Sequence, residues 1–190
     1  VCSKFIGRLE ILGDLWTWLA DDFSRVRLIA GEGGLGKTSL AYRFAEAVAS
    51  VRVKPFEKVL EVGTGSAYQA CVLAELKAKV FTIERQKKLF DSNKEFKYLN
   101  SYKSIKQFYG DGYEGLPTYG PFDKILITAA APFIPEKLVA QLKPNGMMVL
   151  PLNEGEYQRM HRITKLQDGS LQEEKFEEFS FVPMLGGKQS

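Results

Sequence analysis

The chain has 190 residues, 45% of them hydrophobic and 26% charged, with a formal net charge of +3 and a pI of about 8.7. Enough apolar material is present for an ordinary soluble core, and so mild a basic balance argues for no nucleic-acid partner. Two cysteines without motif spacing (Cys2 and Cys71) and a single histidine (His161) exclude a disulfide framework and a histidine-rich metal centre, so no metal is expected and a reducing cytoplasm is the expected location. No apolar run approaches the roughly 18–20 residues that a membrane helix requires, and nothing at the start reads as a signal peptide.

In chain order, Phe5 to Leu19 has helical spacing, with Ile6, Leu9, Leu12, Leu15, Trp18 and Leu19 on one face. A short strand, Arg27 to Ala30, leads into a glycine loop and a helix from about Lys37 to Ala49. A different rhythm begins after residue 50, which divides the chain into a 1–50 segment and a 51–190 domain. Apolar runs at 58–62, 79–83, 105–109, 124–128 and 147–151 read as buried strands. Helical stretches at 68–77, 85–98 and 134–142 lie between most of them. Such alternation predicts an α/β fold with a mostly parallel sheet. At the end, Tyr157 to Leu166 and Lys175 to Val182 flank Gln167-Asp168-Gly169-Ser170, and an Asp-Gly turn predicts an antiparallel hairpin there.

Two glycine motifs carry chemistry. Gly31-Glu-Gly-Gly-Leu-Gly36-Lys37-Thr38 matches a phosphate loop between a strand and a helix. Its glycines turn backbone N–H groups towards phosphate oxygens and the helix N-terminus adds partial positive charge. Lys37 would reach the β and γ phosphates of ATP and Thr38 would hold Mg²⁺. The stretch from Phe5 to Ala49 resembles the opening of NB-ARC-type nucleotide-binding domains. That family continues with a strand ending in a carboxylate for magnesium, which this chain lacks, so no ATPase is expected. The plainer reading is a strand–loop–helix unit that serves as scaffold.

The second motif is Val59-Leu-Glu61-Val-Gly63-Thr-Gly65-Ser66-Ala67-Tyr68, a strand running into a glycine turn and a helix. Gly63 permits the tight turn, Gly65 a close backbone approach to a ligand, and Ala67 the packing of helix on strand. Glu84 ends the next predicted strand, where a carboxylate can accept both ribose hydroxyls. NAD would suit the same fingerprint, but an acidic Glu61 inside the strand leans towards a methyltransferase.

That stretch, together with Thr82-Ile-Glu-Arg85, Gly110-Asp111-Gly112, Pro121-Phe-Asp123, Thr128-Ala-Ala-Ala-Pro132, Leu142-Lys-Pro144 and Phe181-Val-Pro-Met-Leu185, resembles the protein-L-isoaspartate O-methyltransferase family over about residues 57–187. The resemblance implies a Rossmann-like fold binding S-adenosylmethionine, and isoaspartyl proteins or peptides as substrate. It places Glu61, Gly63, Gly65 and Ser66 along the methionine and ribose, Glu84 on the ribose, Asp111 and Gly112 by the adenine, and Thr128 near the transferred methyl as the candidate catalytic residue.

The family methylates the free carboxylate of an isoaspartyl residue, and the ester then collapses to a succinimide. A carboxylate of pKa about 4 is already ionised at pH 7, so no general base is needed. Catalysis reduces to alignment and exclusion of water. Family members carry an N-terminal region with a Gln/Thr/Ser-containing loop ahead of the adenosyl motif, and here the phosphate-loop segment stands in its place. The chain therefore reads as a chimera, with methyl transfer expected to be weak.

Overall fold

A computed structural model describes residues 52–179 and 181–189. All of them belong to the second of two units, 46–190, into which the chain divides. The helices expected at 5–19 and 37–49, the strand at 27–30 and the phosphate loop lie outside the described residues.

The strands are β1 (Lys58–Val62), β2 (Lys79–Glu84), β3 (Ile105–Tyr109), β4 (Phe122–Ile127), β5 (Leu142–Glu154), β6 (Tyr157–Lys165) and β7 (Leu171–Phe179). They form one seven-stranded sheet in the order β3-β2-β1-β4-β5-β6-β7. The first five are parallel, and β6 and β7 continue the sheet antiparallel. Helices α1 (Tyr68–Glu75) and α2 (Lys87–Asn93) pack on β2 and β3, and α3 (Glu136–Ala140) on β5. The strand order reverses between β1 and β4, and in such sheets ligands bind outside the carboxyl ends of the strands at that switch point.

The strand residues are apolar because both sides of the sheet are covered. In β1, Val59, Leu60 and Glu61 have no exposed surface, and Phe122, Ile125 and Met148 have none in β4 and β5. Phe81 and Phe122 meet edge-on at 5.7 Å. Asp123 ties the lower ends of three strands, accepting from Lys58 N at 2.8 Å and from Lys143 Nζ at 2.7 Å.

Several helices are shorter than their apolar pattern predicts. Helix α1 stops at Glu75 rather than 77 because Lys77 is left-handed (φ 64°). The Lys77 N–H donates to Ala74 O at 2.9 Å and that of Ala78 to Leu73 O at 3.1 Å, so the free carbonyls are satisfied by a paired C-terminal cap. The stretch 85–98 resolves into α2 and a separate 3-10 turn, Lys97–Ser101. In place of a helix reaching 142, α3 ends at Ala140, and Leu142 already pairs with Phe122. The strand then bends at Asn145 (φ 62°) and Gly146, whose added Cβ would lie 2.8 Å from Lys143 O. Asparagine tolerates that left-handed backbone. The closing hairpin forms as expected, but its second strand begins at Leu171, four positions before Lys175, because the turn is tight. Asp168 Oδ1 accepts from Ser170 N at 2.9 Å and Ser170 Oγ at 2.6 Å, and Gly169 takes φ 85°.

Leu60 sits on the central strand with none of its side chain exposed, among Phe81, Ile125 and Leu150 of the same cluster. Replacing it by alanine is expected to lower the unfolding free energy by about 2–5 kcal/mol, the range for a buried leucine. Urea denaturation measures this, and a loss below about 1 kcal/mol would contradict the packing described.

Candidate functional site

The carboxyl ends of β1, β2 and β4 converge on the turn Gly63–Ala67. Gly63 has φ 99°, and a Cβ there would lie 2.3 Å from Thr128 Oγ1. The space is already taken, since the Thr128 hydroxyl donates to the backbone oxygens of Val62 (2.9 Å) and Gly63 (3.0 Å). Thr128, singled out as the candidate catalytic residue, thus has its one proton committed to the turn. Its position makes it a brace between β4 and β1. Gly65 takes φ 51°, with open space where a side chain would be. Ala67, fully buried, is also left-handed (φ 57°) where α1 begins, a backbone form that costs a non-glycine residue roughly 1–2 kcal/mol.

Glu84, at the end of β2, is 4% exposed. Its Oε2 accepts from Gly65 N at 2.9 Å and its Oε1 from Gln86 N at 2.9 Å. One carboxylate therefore joins the glycine turn to the entry of α2. An ionised carboxylate has about four acceptor positions, so two remain for ligand hydroxyls.

Glu61 is wholly buried. Its Oε2 accepts from Thr82 Oγ1 at 2.5 Å, and Thr82 in turn meets Thr64 Oγ1 at 2.7 Å. Its Oε1 has no partner. Burial pushes its pKa from 4.5 up to about 8; the Thr82 bond opposes this, and the nearby charge of Glu84 adds to it. An orphaned, buried carboxylate oxygen beside a backbone turn is a place where a cationic ligand group would be well received.

Asp111 and Gly112 follow β3. Asp111 Oδ1 accepts from Tyr113 N at 2.9 Å and Oδ2 from Gly187 N at 2.6 Å. A Cβ on Gly112 would lie 2.5 Å from Val62 Cγ1, so this glycine lets the loop close against the end of β1. Ser66 is exposed at the tip of the turn. The structure thus gathers Glu61, Gly63, Gly65, Ser66, Glu84, Asp111, Gly112 and Thr128 at one end of the sheet. Gly31, Gly36, Lys37 and Thr38 of the phosphate loop lie outside the described residues.

Three participants are given no role by the sequence pattern, although two of them, Thr82 and Arg85, stand in one of its motif blocks. Asn93, 1% exposed at the end of α2, donates from Nδ2 to Gly65 O at 2.8 Å. Gly65 is therefore held on both sides of its Cα, its N–H by Glu84 and its carbonyl by Asn93. Thr82 holds Glu61, and Arg85 binds the segment after β7. No spacing rule marks an asparagine inside a predicted helix, because its partner is 28 residues away. Among the described residues no group of three His, Cys, Asp or Glu side chains could hold a metal, and no helix is long and apolar enough to cross a membrane. His161 lies in the hairpin instead, with Glu173 Oε1 2.5 Å from its Nδ1.

Comparison with known proteins follows the same lines. The family model for protein-L-isoaspartate(D-aspartate) O-methyltransferase matches residues 27–189. It begins well before residue 57, where the motif blocks had placed the start, and runs through the phosphate-loop segment read above as foreign. The protein-L-isoaspartate O-methyltransferase of Cytophaga hutchinsonii is 44% identical over 154 residues, covering 80% of this chain and 69% of that protein. The Flavobacterium johnsoniae protein of the same name is 45% identical, covering 82% and 73%. A solved protein-L-isoaspartate O-methyltransferase superposes with a TM-score of 0.71 at 23% identity, over 87% of this chain and 52% of that one. A Plasmodium falciparum structure described under the same enzyme name, in complex with S-adenosyl-L-homocysteine, gives 0.67 at 24% identity, covering 84% and 79%. These two superpositions carry the Rossmann-like methyltransferase fold.

Glu61 makes a pH-dependent contribution to stability. The unfolded chain loses this proton near pH 4.5, whereas the fold keeps it to about pH 8. Across that window unfolding releases a proton, so stability falls as pH rises. Glu61→Gln cannot titrate. The stability of the wild type relative to this variant is expected to decline between about pH 5 and 8, by a few kcal/mol. Parallel denaturation profiles would show that Glu61 is not held protonated.

Proposed function

Because the chain belongs to the protein-L-isoaspartate O-methyltransferase family, an enzyme family, we propose that it transfers a methyl group from S-adenosylmethionine to the free carboxylate of isoaspartyl residues in proteins or peptides. The observation that carries the reading is Glu61, a fully buried carboxyl group with one unpartnered oxygen beside the Gly63–Ala67 turn at the switch point of the sheet.

When bound, S-adenosylmethionine supplies a methyl group activated by a sulfonium. The roles of this chain's own residues follow from their chemistry. Glu61, which the fold by itself keeps protonated to about pH 8, would give up that proton and receive the methionine ammonium group at its free oxygen, and the low dielectric around it would strengthen the resulting ion pair. The Gly63–Ser66 backbone lies along the ligand. Glu84, already aimed by Gly65 N and Gln86 N, accepts the ribose hydroxyls. Asp111 accepts the exocyclic amine of adenine, and Gly112 keeps that wall thin. Thr128 braces the turn nearest the reacting centre, so its part is to position. The substrate carboxylate is ionised at neutral pH, so the residues need only align it and exclude water.

Gly31, Gly36, Lys37 and Thr38 are read here as part of the methyltransferase chain, since the family match runs through them. ATP with Mg²⁺ has no place in the proposal. The match from residue 27 likewise favours normal over weakened turnover.

A radiolabelled methyl-transfer assay with an isoaspartyl peptide, and its aspartyl counterpart as control, tests the function. Label in the isoaspartyl peptide alone is expected, and absence of label from both would refute it. Calorimetry with S-adenosylhomocysteine tests the site independently. Glu84→Ala should weaken binding by about 1.5–3 kcal/mol, as for a hydrogen bond to a charged group. Unchanged affinity in a folded variant would remove Glu84 from the ribose.

A further inference from the structure

The segment following β7 runs as an extended strap across the carboxyl ends of the parallel strands. It touches the loops after β4, β3 and β2 in turn. At the first, Ala130 N donates to Val182 O at 2.8 Å and Met184 N to Ala130 O at 2.7 Å. At the second, the Tyr113 hydroxyl donates to Met184 O at 3.2 Å and Gly187 N to Asp111 Oδ2 at 2.6 Å. At the third, Gln189 N donates to Arg85 O and Lys87 N to Gln189 O, both at 2.8 Å. The first two loops carry Thr128 and Asp111, and the third follows directly on Glu84.

Arg85 is the anchor. Its Nε donates to Gly187 O at 3.0 Å, its Nη1 to Gln189 Oε1 at 3.1 Å and its Nη2 to Gly186 O at 3.4 Å. A planar guanidinium can hold three acceptors at once with little loss of freedom, and a lysine ammonium lacks that fork. The carbonyl of Gly187 is fixed by Arg85 while its N–H is fixed by Asp111. The N–H of Gly187 shares its peptide with the carbonyl of Gly186, which accepts from Arg85 Nη2, so the orientation of that one peptide links the two side chains.

That link has a consequence for Asp111. Rotation of an aspartate carboxylate about its last bond is soft. Two N–H donors on different oxygens, from Tyr113 and Gly187, hold the plane still and leave the remaining lone pairs in set directions. We propose that Arg85 is a positioning residue for the adenine end of the cofactor, holding the strap so that Gly187 N–H sets the Asp111 carboxylate to accept the exocyclic amine. The inference rests on the reading of Asp111 as the adenine acceptor.

The test compares two ligands on the intact chain, S-adenosylhomocysteine and S-inosylhomocysteine, in which a carbonyl replaces the exocyclic amine. The wild type is expected to prefer the adenosyl ligand by about tenfold or more, the size of one hydrogen bond to a charged group. Arg85→Ala should lose most of that preference, chiefly through weaker adenosyl binding, and Arg85→Lys should not restore it. A chain shortened after Leu185 retains Arg85 but lacks both the strap carbonyls and the Gly187 N–H. It should lose the preference equally, which keeps the test decisive if Arg85→Ala does not fold. A preference retained in the folded variants, or affinities for both ligands falling together, would overturn the positioning role. Failure of the wild type to bind S-adenosylhomocysteine would instead overturn the underlying reading, and the inference with it.

Discussion

The Thr128 hydroxyl and the missing side chain of Gly63 occupy the same few cubic ångströms, and much of the site depends on that fact. A Cβ at position 63 would stand 2.3 Å from Thr128 Oγ1. With glycine there, the hydroxyl reaches two backbone oxygens and pins the end of β4 to the end of β1. The turn is then set at the point where the strand order reverses. Gly65 and the entry to α1 follow in sequence directly from this pinned turn.

A second layer fixes the turn from the side. Glu84 holds the Gly65 N–H and Asn93 its carbonyl, one from the start and one from the end of the stretch that contains α2. Preorganisation of this kind suits chemistry that asks for alignment more than for proton transfer, because a ligand then arrives at donors and acceptors already in place. Burial of Glu61 works in the opposite direction. Its desolvation opposes ionisation and makes stability fall as pH rises, and a cationic ligand group at the unpartnered oxygen would relieve that cost. Stability and ligand affinity are thus set against each other at one carboxylate.

The hairpin and the strap perform different tasks. Strands β6 and β7 extend the sheet through ladders and through pairs such as Arg162 with Glu174, whose Nε–Oε1 distance is 3.0 Å. The strap returns to the site end and joins three loops far apart in sequence. Arg85 reaches residues 101 to 104 positions away.

Sequence by itself determined the alternation of strands and helices, the parallel sheet, the glycine turn and the acidic residue at the end of β2. Each of these depends on local pattern: apolar runs, glycines where φ must be positive, and a fixed spacing from strand to strand. Helix ends were less legible. Lys77 and Asn145 adopt left-handed backbone that no periodicity announces, and Leu142 leaves its helix because Phe122 offers a strand partner. Tertiary structure alone decided that Thr128 braces the turn, that Asn93 completes the hold on Gly65, that one oxygen of Glu61 goes without a partner, and that Arg85 meets the strap. Those relations depend on distances between segments many residues apart, and a linear pattern carries no information on which distant atoms meet until the sheet has placed them.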